Sequence, residues 1–168
     1  PRVTREHYEA LLHEAAAAEM TMLRVWGGGI YEDDTFYDLC DELGILVFQD
    51  FMFACGMYPG DDRFAASIKA EATAAVRRLR HHPSLVLWAG NNEDYSIAQS
   101  TASYDGPQTA IPTPATAAEP DYKARFDGRR LYEQVLPEAV AAHDRGPGGP
   151  SRPYWPGSPY SGPHVAPN

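Results

Sequence analysis

The segment Leu85-Val86-Leu87-Trp88-Ala89-Gly90 is apolar and runs directly into Asn91-Asn92-Glu93-Asp94, two amides followed by two carboxylates. A carboxylic acid held at such a boundary, partly desolvated by Trp rings, would have a raised pKa, stay protonated near neutral pH and donate to a leaving oxygen. Glu93 is the candidate for that acid, and Asn92 for an amide that fixes a substrate hydroxyl. The same residues also suit a plain helix start, because Asn and Asp cap well and Glu favours a first helical turn. Two more apolar runs carry chemistry-bearing groups: Met22 to Trp26 holds Arg24 and Trp26, and Ile45 to Phe51 holds Asp50. Structural roles compete here too, with Arg24 pairing a core carboxylate, Trp26 filling space and Asp50 capping a loop.

Gly27-Gly28-Gly29 lacks the spacing of a phosphate-binding loop and precedes Ile30-Tyr31-Glu32 rather than a helix start. It reads as a tight turn that lets backbone approach a ligand pocket. His81 and His82 stand before Pro83 at a helix end with no third ligand at metal spacing, so neither a metal nor another cofactor is expected. Cys40 and Cys55 both lie among apolar residues and read as small buried thiols rather than a disulfide.

Helices and buried strands must alternate to position these groups. Residues 5–19 are rich in Ala, Leu and Glu with apolar positions at helical spacing, and residues 22–26 form a short strand stopped by glycines. Asp33 and Asp34 open a second helix whose inner face is Phe36, Tyr37, Leu39, Cys40 and Leu43, and Gly44 closes it. A strand over 45–51, a helix over 62–80 and a strand over 85–90 follow. Residues 100–120, rich in Thr, Ala and Pro, read as a surface insertion. Residues 126–143 form a helix with Leu131, Val135, Leu136, Ala139 and Val140 inside, and 152–156 a last short strand.

This alternation demands a parallel sheet covered by helices, either doubly wound or an eightfold barrel. Trp26, Asp50 and Asn91 to Glu93 fall at the C-terminal ends of successive strands, the rim where barrel enzymes keep their chemistry. The expected fold class is therefore α/β, a (β/α)8 TIM barrel. A whole barrel takes about 250 residues and eight strands. Four strands in 168 residues make residues 1–168 about half of one.

Fourteen Lys and Arg against 23 Asp and Glu leave a formal charge of −9, and the densest basic cluster is Arg77-Arg78-Leu79-Arg80. Neither nucleic acid nor an anionic membrane surface is an expected partner; a neutral or cationic ligand fits better. No apolar run approaches the roughly 20 residues needed to span a bilayer, and Pro1 to Arg5 lacks the apolar core of a signal peptide. The compartment stays open.

Three segments, Arg24-Val25-Trp26-Gly27-Gly28-Gly29-Ile30-Tyr31-Glu32, Phe48-Gln49-Asp50-Phe51-Met52-Phe53-Ala54-Cys55 and Trp88-Ala89-Gly90-Asn91-Asn92-Glu93, resemble successive signatures of the β-mannosidases, family-two glycoside hydrolases. Tyr154-Trp155-Pro156-Gly157-Ser158-Pro159-Tyr160 is similar to the family's next strand, so the likeness covers the chain apart from the insertion. It implies strands 2 to 5 of the catalytic barrel, with Asn92 and Glu93 as the Asn–Glu pair that supplies the acid/base. It further implies that Arg24 steadies the nucleophilic carboxylate, that Trp26 lines the pocket for the terminal mannose, and that Asp50 has a substrate-side role.

The parent implied by this resemblance is a retaining exo-glycosidase that removes terminal β-linked mannose from manno-oligosaccharides and needs no cofactor. Its nucleophile would lie on the seventh strand, past Asn168, and Glu119, Glu133 and Glu138 fall in the insertion or on an outer helix face, so the 168-residue chain is expected to be inactive alone. The expected partners are an oligosaccharide and the rest of the parent chain, namely the other half of the barrel and the sandwich domains. Two readings stand beside it: another family-two member of β-galactosidase or β-glucuronidase type, which lacks the Arg-Val-Trp-Gly-Gly-Gly run, and a non-catalytic carbohydrate-binding barrel.

Overall fold

Asp33 starts a helix in the way the sequence suggests, its carboxylate accepting the Thr35 N–H at 3.0 Å, and Asp61 starts another by accepting the N–H groups of Arg63 and Phe64. Gly44 ends the first of these helices at φ +71°, a conformation that favours glycine. The computed structural model describes residues 3–102, 126–144 and 150–159. In chain order they form α1 (Arg5–Ala17), β1 (Met22–Val25), α2 (Asp34–Leu43), β2 (Leu46–Asp50), α3 (Asp62–Leu79), β3 (Leu85–Ala89) and α4 (Asp94–Ala102). A π-helical turn (Leu131–Val135) then runs into α5 (Leu136–His143), followed by β4 (Tyr154–Trp155).

The strands are all parallel and lie in chain order, β1-β2-β3-β4. A doubly wound sheet reverses its strand order at a switch point, whereas right-handed crossovers that always step the same way put every helix on one face. Pairing register shows the two faces. Val25, Gln49 and Trp88 sit in one row and are buried under the helices. Arg24, Phe48 and Leu87 form the next row and point to the other face, where Met22, Leu46 and Trp155 keep 45%, 37% and 40% exposure. A four-stranded parallel sheet in chain order, with one buried face and an apolar, partly exposed second face, has the layering expected of a barrel wall.

Between sheet and helices, Trp88 stacks on Phe51 with ring centroids 5.1 Å apart, and Phe53 meets Tyr132 edge-on at 5.3 Å. Burying each large side chain contributes about 1.5–3 kcal/mol. Gln49, wholly buried, is satisfied by the Tyr37 hydroxyl at 2.6 Å and by the Asp50 carbonyl at 2.7 Å.

Three expectations change. The first helix stops at Ala17 rather than at 19. Asp94–Ala102 is a helix that overlaps the start of the anticipated insertion; its polar and small residues carry no apolar stripe, so periodicity misses it, and the rest of that insertion lies outside the described residues. The helix expected from 126 has a π-helical turn over Leu131–Val135, which rotates Tyr132 inward and leaves Val135 only half-buried.

Candidate active site

Past the end of β3 the chain goes on pairing. Asn92 bridges Ala54 on one side and Ser158 on the other: its N–H donates to the Phe53 carbonyl at 3.0 Å, and its own carbonyl accepts the Cys55 N–H at 2.9 Å. The Glu93 N–H donates to the Ser158 carbonyl at 2.9 Å. Three loops are thereby sewn together at the rim where the strands end. Gly90 is needed for this closeness, since a Cβ there would stand 2.3 Å from the Pro156 carbonyl oxygen.

Glu93 itself has φ +65° and Cys55 has φ +52°. For residues with side chains this left-handed backbone costs about 1–2 kcal/mol each, so the surrounding bonds must hold them. The two face one another, with the Cys55 thiol 3.8 Å from Glu93 Oε2. Glu93 is exposed. The desolvation anticipated from Trp rings is not what the nearby indoles provide: Trp88 lies on the helix side of the sheet, and the Trp26 ring folds over Gly28, itself 49% exposed.

Arg24, Asp50 and Asn92 converge beside it. Arg24 Nη2 and Nε donate to the two Asp50 carboxylate oxygens at 2.7 and 3.2 Å, and Nη2 also donates to Asn92 Oδ1 at 3.0 Å. The guanidinium lies 5.2 Å from the Phe48 ring centroid, a cation–π contact. Asn92 Nδ2 donates to Cys55 Sγ at 3.5 Å, so contacts run unbroken from Asp50 through Arg24, Asn92 and Cys55 to Glu93. Asp50 is wholly buried and also accepts the Gly27 N–H at 3.0 Å. Burial raises its proton affinity, and Arg24 with the Gly27 N–H pulls it back. The pairing of Arg24 with a core carboxylate, held open in the sequence, is present here alongside its bond to Asn92.

Gly27 has a different reason from the expected one. A Cβ there would lie 2.3 Å from the Phe53 carbonyl oxygen and 2.7 Å from that of Phe51, so the close approach is to the chain's own backbone. The helix-start reading holds for Asn91, whose Oδ1 accepts the Asp94 N–H at 3.1 Å while its Nδ2 donates to the Pro156 carbonyl at 2.8 Å.

Residues for which the sequence suggests no catalytic role complete the rim. Cys55, expected buried, is exposed, because its left-handed backbone turns the side chain out toward Glu93; Cys40 is buried as expected. Asp94 is wholly buried, with Oδ1 accepting the Gly56 N–H at 3.1 Å and Oδ2 the Tyr132 hydroxyl at 2.5 Å. Burial pushes its carboxyl up to about 6, against the pull of those two donors. Tyr132 is 38 residues away in the chain, and no local pattern announces that pairing.

His82 gains neighbours that linear spacing hides. At the opposite end of the sheet its Nδ1 lies 2.7 Å from Asp41 Oδ2 and 3.8 Å from Asp38 Oδ1, the three ligand atoms falling within 4.8 Å of one another. Asp41 also accepts the Ser84 N–H at 2.8 Å, which ties α2 to the start of β3.

Known proteins resemble the chain over nearly its whole length. No family model matches it. It is 48% identical over 161 residues to beta-mannosidase B of Thermothelomyces thermophilus and 46% identical over 161 residues to that of Aspergillus clavatus. Each alignment takes in 95% of this chain but only 17% and 18% of the relative, so the chain spans less than one-fifth of their length. The crystal structure of a β-D-mannosidase from Dictyoglomus thermophilum is similar over 97% of this chain and 17% of its own, with 45% identity and a TM-score of 0.76. An exo-chitosanase from Amycolatopsis orientalis, 20% identical with a TM-score of 0.61 over 94% of this chain and 15% of its own, shares the fold.

Proposed function

We propose that this chain, homologous to β-mannosidases over 95% of its length, is strands 2 to 5 of the catalytic barrel of a retaining exo-β-mannosidase, a family-two glycoside hydrolase. The parent would hydrolyse terminal non-reducing β-D-mannose residues from manno-oligosaccharides. The observation that carries this reading is the placement of Glu93 on the strand-end rim, exposed, next to a buried Asn92 that is bonded to Arg24.

Retaining hydrolysis uses two carboxyl groups about 5–5.5 Å apart, an acid/base and a nucleophile that forms a glycosyl-enzyme intermediate. In this reading Glu93 protonates the leaving glycosidic oxygen and then, as carboxylate, takes a proton from the water that releases the sugar. Arg24, fixed in orientation by Asp50, directs its remaining N–H groups to the nucleophile and so keeps it ionised. Trp26 offers an exposed indole to the terminal sugar ring, and Asn92 orients a ring hydroxyl near the cleaved bond. Asp50 acts on the substrate side only through Arg24 and the Gly27 turn, since its own oxygens are occupied.

The nucleophile would come from the rest of the parent, because Glu133 and Glu138 are exposed on the helical layer, Glu133 against the Tyr95 hydroxyl and Glu138 beside Lys69. The 168-residue chain would then hydrolyse nothing by itself. Release of p-nitrophenol from its β-mannoside and β-galactoside tests this. The full-length parent should turn over the mannoside in preference, and its Glu93→Gln variant should bind but not turn over. Turnover by the 168-residue chain alone, or a preference for the galactoside, would contradict the reading.

A further inference from the structure

Two non-glycine residues in left-handed backbone, Cys55 and Glu93, face one another across the rim, and one side chain ties both down. Asp94 follows Glu93 directly; its Oδ1 accepts the N–H of Gly56, the residue after Cys55, and its Oδ2 accepts the Tyr132 hydroxyl. Its own N–H is held by Asn91, so this residue is anchored through main chain and side chain alike. We propose that Asp94 is a positioning residue for Glu93, clasping the Cys55-Gly56 loop and the π-helical turn so that the Glu93 side chain is presented at one fixed place. This inference rests on the glycosidase reading above.

The geometry distinguishes this clasp from ordinary packing. Both Asp94 oxygens receive donors from different parts of the chain, one 38 residues upstream and one 38 residues downstream. A carboxylate accepts both at once, whereas an amide in its place has one acceptor oxygen, so it can keep the Gly56 bond only if its NH2 turns to Tyr132 and that hydroxyl reverses from donor to acceptor. The downstream donor sits on a π-helical turn, a departure that turns Tyr132 inward and often accompanies function. Tyr132 is locked in turn by Phe53, Tyr95 and Phe126, so it cannot follow a displaced partner cheaply.

The titratable groups around the clasp are Tyr132 itself, Tyr58 from the loop and Tyr95 from α4, with Glu133 touching the Tyr95 hydroxyl. Burial and the neighbouring Asp94 carboxylate push the Tyr132 phenol further up, so it stays the donor in this bond. Asp94 is thus the group in the clasp whose charge changes near pH 6, and its anionic form is the one that accepts both bonds.

The test uses the full-length protein that carries this segment, with Asp94→Asn and the milder Tyr132→Phe. Asp94→Asn should lower kcat on p-nitrophenyl β-mannoside at least tenfold with KM within about threefold, and should shift the acid limb of the pH–rate profile to lower pH. It should also speed alkylation of Cys55, because the loop is released. Tyr132→Phe should lower kcat by a smaller factor and move the acid limb the same way, which keeps the test open if Asp94→Asn does not fold. Variants that melt earlier yet keep the wild-type kcat, pH profile and thiol reactivity would show that the clasp is structural only. Should Glu93→Gln retain full turnover, the glycosidase reading itself fails; should it be inactive while Asp94→Asn is not, only the present inference fails.

Discussion

Cutting the Arg24–Asp50 pair should damage stability and catalysis together, and its size follows from where the two groups sit. Asp50 is wholly buried and receives three N–H donors, two from Arg24 and one from Gly27, while the Arg24 side chain keeps 32% exposure. Removing one partner of a fully buried pair costs about 3–5 kcal/mol because the other charge is stranded. Arg24 can turn partly to water, so Asp50→Ala should cost about 2–3 kcal/mol. In a domain of roughly 150–250 residues each kcal/mol moves Tm by about 2–4 °C, so a drop of about 4–12 °C is expected. Asp50→Ala, Arg24→Met and the double variant, made in the full-length parent and melted calorimetrically, form a cycle whose coupling should reach about 1–2 kcal/mol. Activity should fall in both single variants, since one removes Arg24 and the other its fixed direction toward Asn92. Additive losses within about 0.5 kcal/mol would refute the argument that the two residues act as a unit.

Three further outcomes follow from the structure. A thiol reagent applied to the folded protein should label Cys55, which is exposed, and spare Cys40, whose thiol burial pushes up to about 12; peptide mapping that finds Cys40 modified first would contradict the fold. The Asp94 carboxyl is raised to about 6 by burial, so its neutral form stabilises the fold. Its contribution is fully present below about pH 4 and fades as pH rises to about 6, by up to roughly 3 kcal/mol. The stability of wild type relative to Asp94→Asn, from melts at successive pH values, should therefore decline across that window and not increase. Finally, the isolated 168-residue chain should aggregate or bind a hydrophobic dye through the sheet face that bears Met22, Leu46 and Trp155; a monodisperse sample with a cooperative melt would count against this.

Much of the scaffold could be read from the chain because its signals are local. Asp33 and Gly44 mark helix ends by their own chemistry, and the apolar runs read at 22–26, 45–51 and 85–90 hold strands over 22–25, 46–50 and 85–89. The rim was legible too, since Trp26, Asp50 and Glu93 stand where those runs stop. What stayed hidden depends on distance or on backbone twist. The Asp94–Tyr132 bond joins residues 38 apart, and His82 meets Asp41 across another 41. Cys55 looks like a core thiol among Phe53 and Ala54, and only its left-handed φ of +52° brings it out to face Glu93. The start of α4 was legible in Asn91, but its body escaped because no apolar stripe follows the cap.

The role of Glu93 can be isolated from binding and folding by removing the need for an acid. In the full-length parent, Glu93→Ala should hydrolyse 2,4-dinitrophenyl β-mannoside, whose leaving group departs without protonation, through a fast first step and a slow release of the sugar. Added azide, which attacks without a general base, should accelerate that release and yield β-mannosyl azide with retained configuration. Faster turnover with that product is the predicted result. Turnover indifferent to azide, or undiminished in the variant, would mean that Glu93 is not the acid/base.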